Sequence, residues 1–485
     1  MTEAMTMNMG DCRKVSEMKL LNSRLSLAIS SLPKTLFRDT SFVLLVFLLL
    51  PKSAPAQINC GAGSSAPSTS LACLPAVSLT PSGFSPASPL QPRASGTFLP
   101  TFSRTLEFLS EEIGEEVSQI PLASPASGII YANNPTTQLP ERLKQSFGPI
   151  LTQRAQTIGR HNLYFATTYQ YFLLKDVDSQ ALKSFGTVIY LNSPNNPTSG
   201  PPDFAGVSNN YLQLKVHQFV GYMTYGLASR VDVSVAVPLL RVDVRDTFSE
   251  NFIRNPNSTC PVSGCPATPP NPSGSHAGEA TGIGDVVLAT KVNVWKLRRA
   301  DKDHGGFSLG VEVRLPSGDS HNLLGSGAFG AKPFATFSYA GRVSPHFNIG
   351  YQINGKTDLI TVASSSTGTL VKGTPPNRLI YSGGVDFALF KKLTVNVDGI
   401  AQHVFDAQRA TLFPAGTPLF TSGNVSATIP VVVPVPASYT RADAAGGIKW
   451  NPVKGLLFSG NVSVKLNQAG LRSRVVPLMG ASFTF

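Results

Sequence analysis

The sequence predicts an all-β protein: an antiparallel transmembrane β-barrel of about twelve strands. A signal peptide and a largely disordered N-terminal segment with a short amphipathic helix are expected to precede the barrel. Three observations predict this fold. Apolar and polar residues alternate with period two from residue 161 to residue 485. The connections between the alternating runs are long and short in turn, and the last run ends on an aromatic residue, Phe485.

The composition favours strands in a membrane over helices in a membrane. The chain has 485 residues, of which 42% are hydrophobic and 14% are charged, whereas soluble domains carry about 25% charged residues. No run reaches the roughly 18 apolar residues of a spanning helix. A membrane form of this chain must therefore be a closed barrel, which pairs every backbone group within the protein.

Residues 1–56 are predicted to be a secretory signal peptide. Basic residues precede the compact apolar run Ser41–Leu50, and Ala54-Pro55-Ala56 follows it as a small-x-small cleavage site. The run is too short to span a bilayer, and a signal anchor is the alternative. Export together with a barrel fold predicts the bacterial outer membrane, with both chain termini in the periplasm.

The cysteines left after cleavage form an even set of four. Because the compartment is oxidising, the simplest hypothesis pairs Cys60 with Cys73 and Cys260 with Cys265. Zinc is a competing interpretation of the Cys-x4-Cys spacing, but no paired His or Cys stands nearby at ligand spacing. No metal or cofactor is predicted.

Residues 57–104 are rich in Pro, Ser, Ala and Gly, which predicts a low-complexity disordered segment. Residues 105–160 form a separate unit. Leu106, Leu109, Ile113 and Val117 recur at helical spacing among glutamates, which predicts a short amphipathic helix. The helix is either a solvated helix with a small packing stripe or a segment that docks at the barrel mouth, and Ser146–Arg160 is a possible plug or lumen segment.

The barrel is predicted over residues 161–485. Phe307, Leu309, Val311 and Val313 alternate with Ser308, Gly310, Glu312 and Arg314 in the clearest run. Each run matches the roughly 9–11 residues of a tilted membrane strand. The predicted strands lie near 162–173, 211–225, 230–244, 284–296, 306–316, 331–341, 346–355, 378–390, 393–405, 437–450, 455–467 and 474–485.

The lengths of the connections support a membrane barrel over a soluble sheet. Connections after even-numbered strands are short and those after odd-numbered strands are mostly long; only 468–473 departs from this rule. Short periplasmic turns and long external loops are typical of outer-membrane barrels. A soluble calyx would turn the apolar face inward, but such barrels usually have about eight strands.

Three motifs resemble a known family. They are Gly282–Asp285 (GIGD), Leu315–Asp319 (LPSGD) and Tyr225-Gly226-Leu227 leading into Val231–Leu239, which contains Pro238. Together, and in the order in which they stand in the chain, they resemble the outer-membrane proteins grouped as the putative MetA pathway of phenol degradation, which are distantly similar to FadL-like transporters. The resemblance covers roughly Gly159–Phe485 and implies a channel or transporter for small, often apolar or aromatic compounds. It supplies no catalytic residues, and residues 57–158 fall outside it.

Further partners follow from the barrel hypothesis. The final strand resembles the closing strand of bacterial outer-membrane barrels, which implies that the insertion machinery recognises it through Phe485. Outer-membrane lipid and a small solute are the other expected partners. The net charge of +12 is scattered, without a Lys/Arg-rich run, so a nucleic-acid partner is not predicted.

Turning the polar faces inward predicts which side chains line the lumen. The charged set is Lys215, His217, Asp232, Asp285, Lys291, Glu312, Arg314, Lys332, Asp386, Asp398, Arg441, Asp443, Lys449, Lys465 and Arg474. An apolar track on the same faces consists of Phe219, Met223, Trp295, Phe334 and Phe390. Charges of both signs would orient polar solutes; alternatively they pair with one another across neighbouring strands.

No enzyme activity is predicted. Gly306–Gly310 matches the G-x-S-x-G pattern of hydrolases, but that motif needs a sharp strand-to-helix turn and here lies within an alternating strand. The leading hypothesis is passive uptake of small organic solutes, apolar, aromatic or anionic. The alternative is a structural or binding barrel with a closed, plugged lumen.

Overall fold

The fold was analysed in a computed structural model. It describes residues 71–73, 91–92, 113, 116, 131–133, 140–142, 147, 152–192, 204–254, 273–299, 302–363, 370–412, 432–453 and 455–484. All of them belong to the compact unit Pro55–Phe485, and none to the unit Met1–Ala54. The signal peptide, Phe485 and both predicted cysteine pairs fall outside the residues and side chains described.

Twelve long strands form the wall of one barrel. Their bounds are β1 Leu163–Val177, β2 Phe204–Ala228, β3 Val231–Arg254, β4 Ser273–Ile283 continued by Val287–Arg299, β5 Lys302–Arg314, β6 Gly330–Tyr339, β7 Val343–Asn354, β8 Arg378–Phe390, β9 Leu393–Leu412, β10 Val432–Trp450, β11 Leu456–Lys465 and β12 Val475–Thr484.

Every wall strand pairs antiparallel with its neighbours in the chain. The ring closes where β12 pairs with β1, with Met479 opposite Tyr169. Closure removes the free edges on which an open sheet of this size would aggregate. The predicted all-β, twelve-stranded antiparallel barrel is confirmed.

The predicted sorting of connections is also confirmed. Short turns at one end of the barrel comprise residues 229–230, 300–301, 340–342, 391–392 and 451–455. The other end carries 178–203, 255–272, 315–329, 355–377 and 413–431, with 466–474 as the shortest. We call these the turn end and the loop end.

Small elements accompany the wall. Two short hairpins pair Tyr131–Asn133 with Pro140–Arg142 and Thr357–Ala363 with Leu370–Gly373. Short strands at Gln91–Pro92, Gln180–Ala181, Phe185–Asn192 and Leu471–Ser473 extend the wall sheet, and 3₁₀ turns lie at Leu71–Cys73, Leu182–Ser184 and Ser320–Asn322. Within the described residues, no helix has the length and apolar character needed to cross a membrane.

The turn-end half of the barrel has apolar side chains outside and polar side chains inside. In β3, Val233, Val237 and Leu239 point outward and are 41%, 39% and 45% exposed, whereas Asp232 and Ser234 point inward and are 2% and 9% exposed. The apolar run Val231–Leu239 has the length of a membrane strand. This turn-end half, called the membrane half below, matches the predicted assignment of faces.

The loop-end half shows the opposite arrangement, and β2, β3, β4, β9 and β10 continue into it. Further along β3, Val242, Val244 and Phe248 are buried inside, while the Arg241 side chain is 52% exposed outside. The prediction that residues 204–210, 245–254, 273–283, 406–412 and 432–436 are loop is wrong. Their outer faces meet water, so they lack the apolar-out, polar-in alternation on which the strand prediction relied.

A β-bulge joins the two segments of β4. Residues 284–286 lie opposite only Val237 and Pro238 of β3, so the inward parity changes from even residues in Ser273–Ile283 to odd residues in Val287–Asn293. The GIGD motif was predicted to open a strand, and instead it forms this bulge inside one. The extra residue of this bulge places Asp285 on the inner side of the wall.

The LPSGD motif folds back onto this bulge. The Ser317 hydroxyl donates to Gly284 O and accepts from Val286 N, both at 2.9 Å, which replaces hydrogen bonds that the bulge interrupts. Asp285 accepts from Gly318 N at 3.1 Å and from Ser326 N at 2.8 Å. The two family motifs are therefore mutual partners that hold the 315–329 loop against the wall.

Candidate functional site: a polar lumen crossed by the segment before β1

The segment 152–158 lies inside the membrane half, and the wall holds it by its backbone. Ala155 is fully buried. Its N–H donates to Ser338 Oγ at 2.9 Å, and its carbonyl accepts from Asn293 Nδ2 at 2.8 Å and from the Ser308 hydroxyl. Ser308 is the serine of the G-x-S-x-G pattern, and it lies within the unbroken strand β5.

Gln153 makes a second set of contacts on β6 and β7. Its N–H donates to Asn348 Oδ1 at 3.1 Å, and its carbonyl accepts from Thr336 Oγ1 at 2.9 Å and from Asn348 Nδ2 at 3.1 Å. Its side-chain amide donates to Glu312 Oε1 at 2.9 Å. The inner face thus satisfies the backbone groups of an irregular segment, which is required wherever water is excluded.

Lys291 and Asp232 hold the end of the segment nearest β1. The Lys291 ammonium donates to Arg154 O and Gln156 O, both at 2.9 Å, and lies 3.8 Å from Asp232 Oδ2. Asp232 also accepts from Ile158 N at 3.2 Å. The two residues face each other across the β3–β4 ladder, so wall register decides where this cation and this anion meet the segment.

Arg154 points to the opposite wall. Its Nη2 lies 3.9 Å from Asp386 Oδ2 in a site where both side chains are almost completely buried. The guanidinium remains the charged partner of Asp386, because arginine ionises far above physiological pH.

A histidine joins the same cluster, and a glycine makes room for it. His346 Nε2 lies 2.7 Å from Asp398 Oδ1, and His346 Nδ1 lies 3.9 Å from Asp386 Oδ2. Gly384 stands between His346 and Asp398 in the ladder. A Cβ at position 384 would collide with both the Asp398 carboxylate and the His346 ring, so only glycine allows this hydrogen bond.

The chain before β1 contacts the wall on opposite sides of the lumen, at Phe147 and at Thr157. Phe147 donates from its N–H to Thr394 Oγ1 on β9 at 3.2 Å and packs on Leu457 of β11. At the other end, the Thr157 hydroxyl donates to Ser229 O in the β2–β3 turn at 3.0 Å. The described residues between these two points therefore cross the barrel at its turn end.

Most of the predicted lumen charges point inward and form pairs. Lys332 and Glu312 lie 2.6 Å apart, and Arg314 lies 3.7 Å from Asp285. The remaining pairs link Arg441 to Glu116, Asp443 to Arg472 and Lys465 to Asp176. Lys449 is buried on the inner face of β10, and Phe334, on that of β6, lies over Gly310. The part that these inward residues play in solute passage stays a prediction.

Two charged residues and two apolar residues were assigned to the wrong face. Lys215, His217, Phe219 and Met223 lie on the outer face of β2, whose inner face carries Leu214, Val216 and Val220, all 0% exposed. Both faces of β2 are largely apolar because its inner face packs against buried residues in the lumen. Alternation alone therefore could not tell the two faces of β2 apart.

Three more predicted lumen residues lie elsewhere. Trp295 and Phe390 are 53% and 71% exposed on the outside next to short turns, where barrels carry their aromatic girdles. A register irregularity precedes each of them and reverses their side. Arg474 is exposed at a bend between Leu471–Ser473 and β12, and Arg472 takes the inward position instead.

Several inner residues escaped the sequence prediction. Gln153, Arg154 and Ala155 lie in Ser146–Arg160, which was predicted only as a whole to be a possible plug or lumen segment; they bind largely through backbone groups, which sequence does not distinguish. His346 was identifiable, because it occupies the polar face of the alternating β7. Of the predicted amphipathic helix only Ile113 and Glu116 are described, and both are helical.

The loop-end half of the lumen is filled by an apolar cluster. Leu214, Val242 and Leu323 belong to it, and so do Leu71 and Ile113 from the chain before the barrel. Below it, a cavity of about 60 Å³ remains between Glu116, Arg441 and Arg472 on one side and Ile400 and Leu478 on the other. Within the described part of the chain, no cluster of His, Cys, Asp or Glu could hold a metal ion.

Comparison with known proteins gives one sequence match. Residues 199–410 match the family described as putative MetA-pathway of phenol degradation. The resemblance drawn from the sequence motifs is confirmed over that range, which contains all three motifs. No curated protein sequence matches the chain.

Solved structures similar to this chain are distant barrels. An outer-membrane channel from Pseudomonas putida F1 matches at a TM-score of 0.37 and 10% identity, covering 68% of this chain and 98% of that one. A FadL homologue from Pseudomonas aeruginosa matches at 0.28 and 10%, covering 67% and 89%. The toluene transporter TbuX of Ralstonia pickettii matches at 0.25 and 12%, covering 67% and 90%.

Proposed function

We propose that this chain, which matches the phenol-degradation MetA-pathway family over residues 199–410, is an outer-membrane channel for small organic solutes. One observation carries the proposal. A closed ring of twelve strands turns apolar side chains outward and places polar side chains inside in its membrane half, as along Val231–Leu239 of β3. Only lipid outside and a polar path inside give both faces a favourable surrounding.

The crossing segment, residues 152–158, closes the turn end of this channel. Charged contacts to Lys291, Asp232 and Asp386 hold it, and its backbone also makes hydrogen bonds with neutral side chains, those of Asn293, Ser308, Ser338 and Thr336. Each of these neutral hydrogen bonds contributes only about 0.5–1.5 kcal/mol net, because water can replace the partner. Loss of some of them should therefore loosen the segment without unfolding the wall.

The space that remains in the lumen supports a solute with a polar group and an apolar body. The cavity beside Arg441 and Arg472 presents guanidinium groups and the Asn461 amide on one side, with Phe172, Ile400 and Leu478 on the other. Each guanidinium is itself paired, Arg441 with Glu116 and Arg472 with Asp443, so the polar side offers hydrogen-bonding groups of both signs and the other side offers apolar contacts. The named pathway of the family, phenol degradation, agrees with this class.

Permeation through the purified protein tests the proposal. Liposome swelling would be measured with arabinose and with phenolsulfonate, an aromatic anion that crosses lipid slowly by itself. The variant Asn293→Ala/Ser308→Ala removes the two side chains that hold Ala155 O. We expect the wild-type protein to pass at least one solute slowly and the variant to pass it several-fold faster, because residues 152–158 move away from the inner wall more often.

A matched control is available on the outer face. Asn209 and Ser249 are also direct cross-strand partners, and both are exposed. Liposomes that contain Asn209→Ala/Ser249→Ala should therefore swell at the same rate as liposomes that contain the wild-type protein. Equal rates for all three proteins would show that the segment does not limit permeation, and no swelling by any of them would contradict a channel.

A structural or binding barrel is the second candidate. The apolar cluster that fills the loop-end half, with Leu71 and Ile113 among its members, favours it, because that cluster closes the lumen independently of residues 152–158. A folded, heat-modifiable protein that never conducts, even as Asn293→Ala/Ser308→Ala, would favour this candidate.

A further inference from the structure

The outer surface of β1–β4 changes from apolar to charged over one step of the ladder. Tyr169, Phe219, Leu239 and Ile283 form a continuous row across the four strands, and all are at least 38% exposed. The next outward positions are Tyr171, His217, Arg241 and Thr281. This step is the boundary of the lipid-facing surface on the side of the loop end.

Charged side chains collect immediately above that boundary. Lys215, Arg241 and Arg245 lie with Asp243 and Glu279 around an open depression of about 690 Å³ on the outer surface. We call these five residues the rim patch. Exposed Lys175 on β1 lies beside it, so the area carries four cations and two carboxylates.

The carboxylates orient one cation and leave the others available. Arg241 Nη2 lies 2.7 Å from Glu279 Oε2 and 3.4 Å from Asp243 Oδ1. Among the described residues, neither Lys215 nor Arg245 has a carboxylate within ion-pair distance. The two carboxylates thus fix the position of Arg241 between Lys215 and Arg245, whose charges are not paired within the described residues. A planar guanidinium presents paired donors that suit phosphate oxygens.

Aromatic rings form the lower margin of the patch. The Tyr169 hydroxyl lies 2.8 Å from His217 Nδ1, and the Tyr171 ring centre lies 4.9 Å from that of His217. Rings with an apolar body and a polar edge favour the level of lipid headgroups. A ligand seated on the cations could extend apolar chains along Phe219, Leu239 and Ile283.

The outer surface of β9 and β10 lacks such a patch at the same level. On β9, the outward positions beyond Val397 are Gly399, Ala401 and His403, and their partners on β10 are Ala444, Ala442 and Thr440. This sector presents no lysine or arginine at these positions. A general need for solubility above the membrane does not explain why β1–β4 carry these cations and β9 and β10 do not.

We propose that the rim patch binds phosphate groups of the anionic lipid in the outer leaflet around the barrel. This inference rests on the proposed location in an outer membrane. The cations face phosphate at headgroup level, and the apolar row below them receives acyl chains. Free phosphate shares the headgroup chemistry but lacks the chains, so the two sources differ in how tightly the site would hold them.

Titration of the purified protein in a nonionic detergent tests the inference. The probe is bis-phosphorylated lipid A, with dephosphorylated lipid A and inorganic phosphate as separate arms. The variant is Lys215→Gln/Arg241→Gln/Arg245→Gln. We expect the variant to bind bis-phosphorylated lipid A about tenfold more weakly than wild type, because charge-assisted contacts to phosphate are lost. Dephosphorylated lipid A should bind both proteins equally weakly.

The matched control removes the same residue types at the turn end. Arg230→Gln/Arg342→Gln/Lys391→Gln neutralises one lysine and two arginines, all exposed, and should leave lipid A affinity unchanged. An equal loss in the control, or undiminished binding by the rim variant, would overturn the inference. Competition by inorganic phosphate at the same concentration as lipid A would overturn the assignment to lipid.

The two proposals fail separately. Lipid A titration needs no permeation, and swelling in phosphatidylcholine liposomes needs no lipid A. A protein that binds lipid A through the rim patch but never swells liposomes would contradict the channel alone. A protein that conducts but binds lipid A without regard to Lys215, Arg241 and Arg245 would contradict the rim patch alone.

Discussion

The membrane half and the loop-end half of the barrel are built from the same strands with opposite arrangements of their faces. In β3, valines point outward and Asp232 and Ser234 point inward as far as Leu239. Beyond that residue, Arg241 and Asp243 point outward and Val242 and Val244 point inward. One strand therefore has its apolar face outside, as in a membrane barrel, and further along has its apolar face inside, as in a soluble protein.

The comparison teaches that the surrounding solvent, and not strand propensity, sets which face is apolar. Period two is common to both halves, because it comes from the geometry of the strand. In the membrane half, lipid accepts the apolar face, and the inner face hydrogen-bonds to Gln153 and Ala155. In the loop-end half, water accepts the charges, and the inner face packs as a core with Leu323 and Leu71.

The largest expected effect lies inside the membrane half. Asp232→Ala leaves the Lys291 ammonium buried without its carboxylate, which should cost about 3–5 kcal/mol of the free energy of unfolding. Asp243→Ala removes the same residue type from the outer face of the same strand and should cost at most about 1 kcal/mol. Urea unfolding in detergent, followed by heat-modifiable migration, measures both, and equal losses would contradict the contrast.

The next effect concerns the core of the loop-end half. Leu214 is fully buried, and Leu214→Ala should cost about 2–5 kcal/mol, because protein atoms cannot fill the cavity. Leu239→Ala, on the lipid-facing surface, should cost less, since mobile acyl chains or detergent fill the space. The same unfolding assay compares them, and a larger loss for Leu239→Ala would refute a packed core at the loop end.

The smallest of the three effects separates the two outer surfaces. Val235→Arg places a charge in the middle of the lipid-facing run of β3 and should cost about 2–4 kcal/mol. Thr247→Arg, on the same face of the same strand beyond the boundary, should change stability by no more than about 0.5 kcal/mol. Refolding into liposomes provides the measurement, and tolerance of Val235→Arg would mean that no lipid contacts this surface.

Sequence reasoning succeeded on strands whose two faces differ in polarity and failed on β2, whose two faces are both largely apolar, and beyond the membrane half. The inward positions of Asp232, Lys291 and Glu312 follow from alternation beside an apolar face. Lys215 and His217 lie at the boundary, where the arrangement reverses, and they were placed on the wrong side. The strand Ser273–Ile283 was predicted as loop, because small and polar residues occupy both of its faces.

Irregularities of the ladder account for the remaining errors. The bulge at residues 284–286 changes the parity of β4, and shifts before Trp295 and Phe390 move those rings outside. Each irregularity is one residue long and carries little signal, yet one residue exchanges the two faces. The sequence did mark the first of them, through the glycines of the GIGD motif.

By itself, the sequence determined the number of strands, the two faces of membrane-half strands such as β3 and β5, and the end of the barrel that carries long loops. These are local properties, because alternation and loop length are read within one strand and its neighbours. Only the tertiary structure decided that Asp232 meets Lys291, that Gly384 separates His346 from Asp398, and that Ala155 lies between Ser308 and Ser338. Those contacts depend on ladder register and on a segment bound through its backbone, whose groups are the same in every residue type except proline.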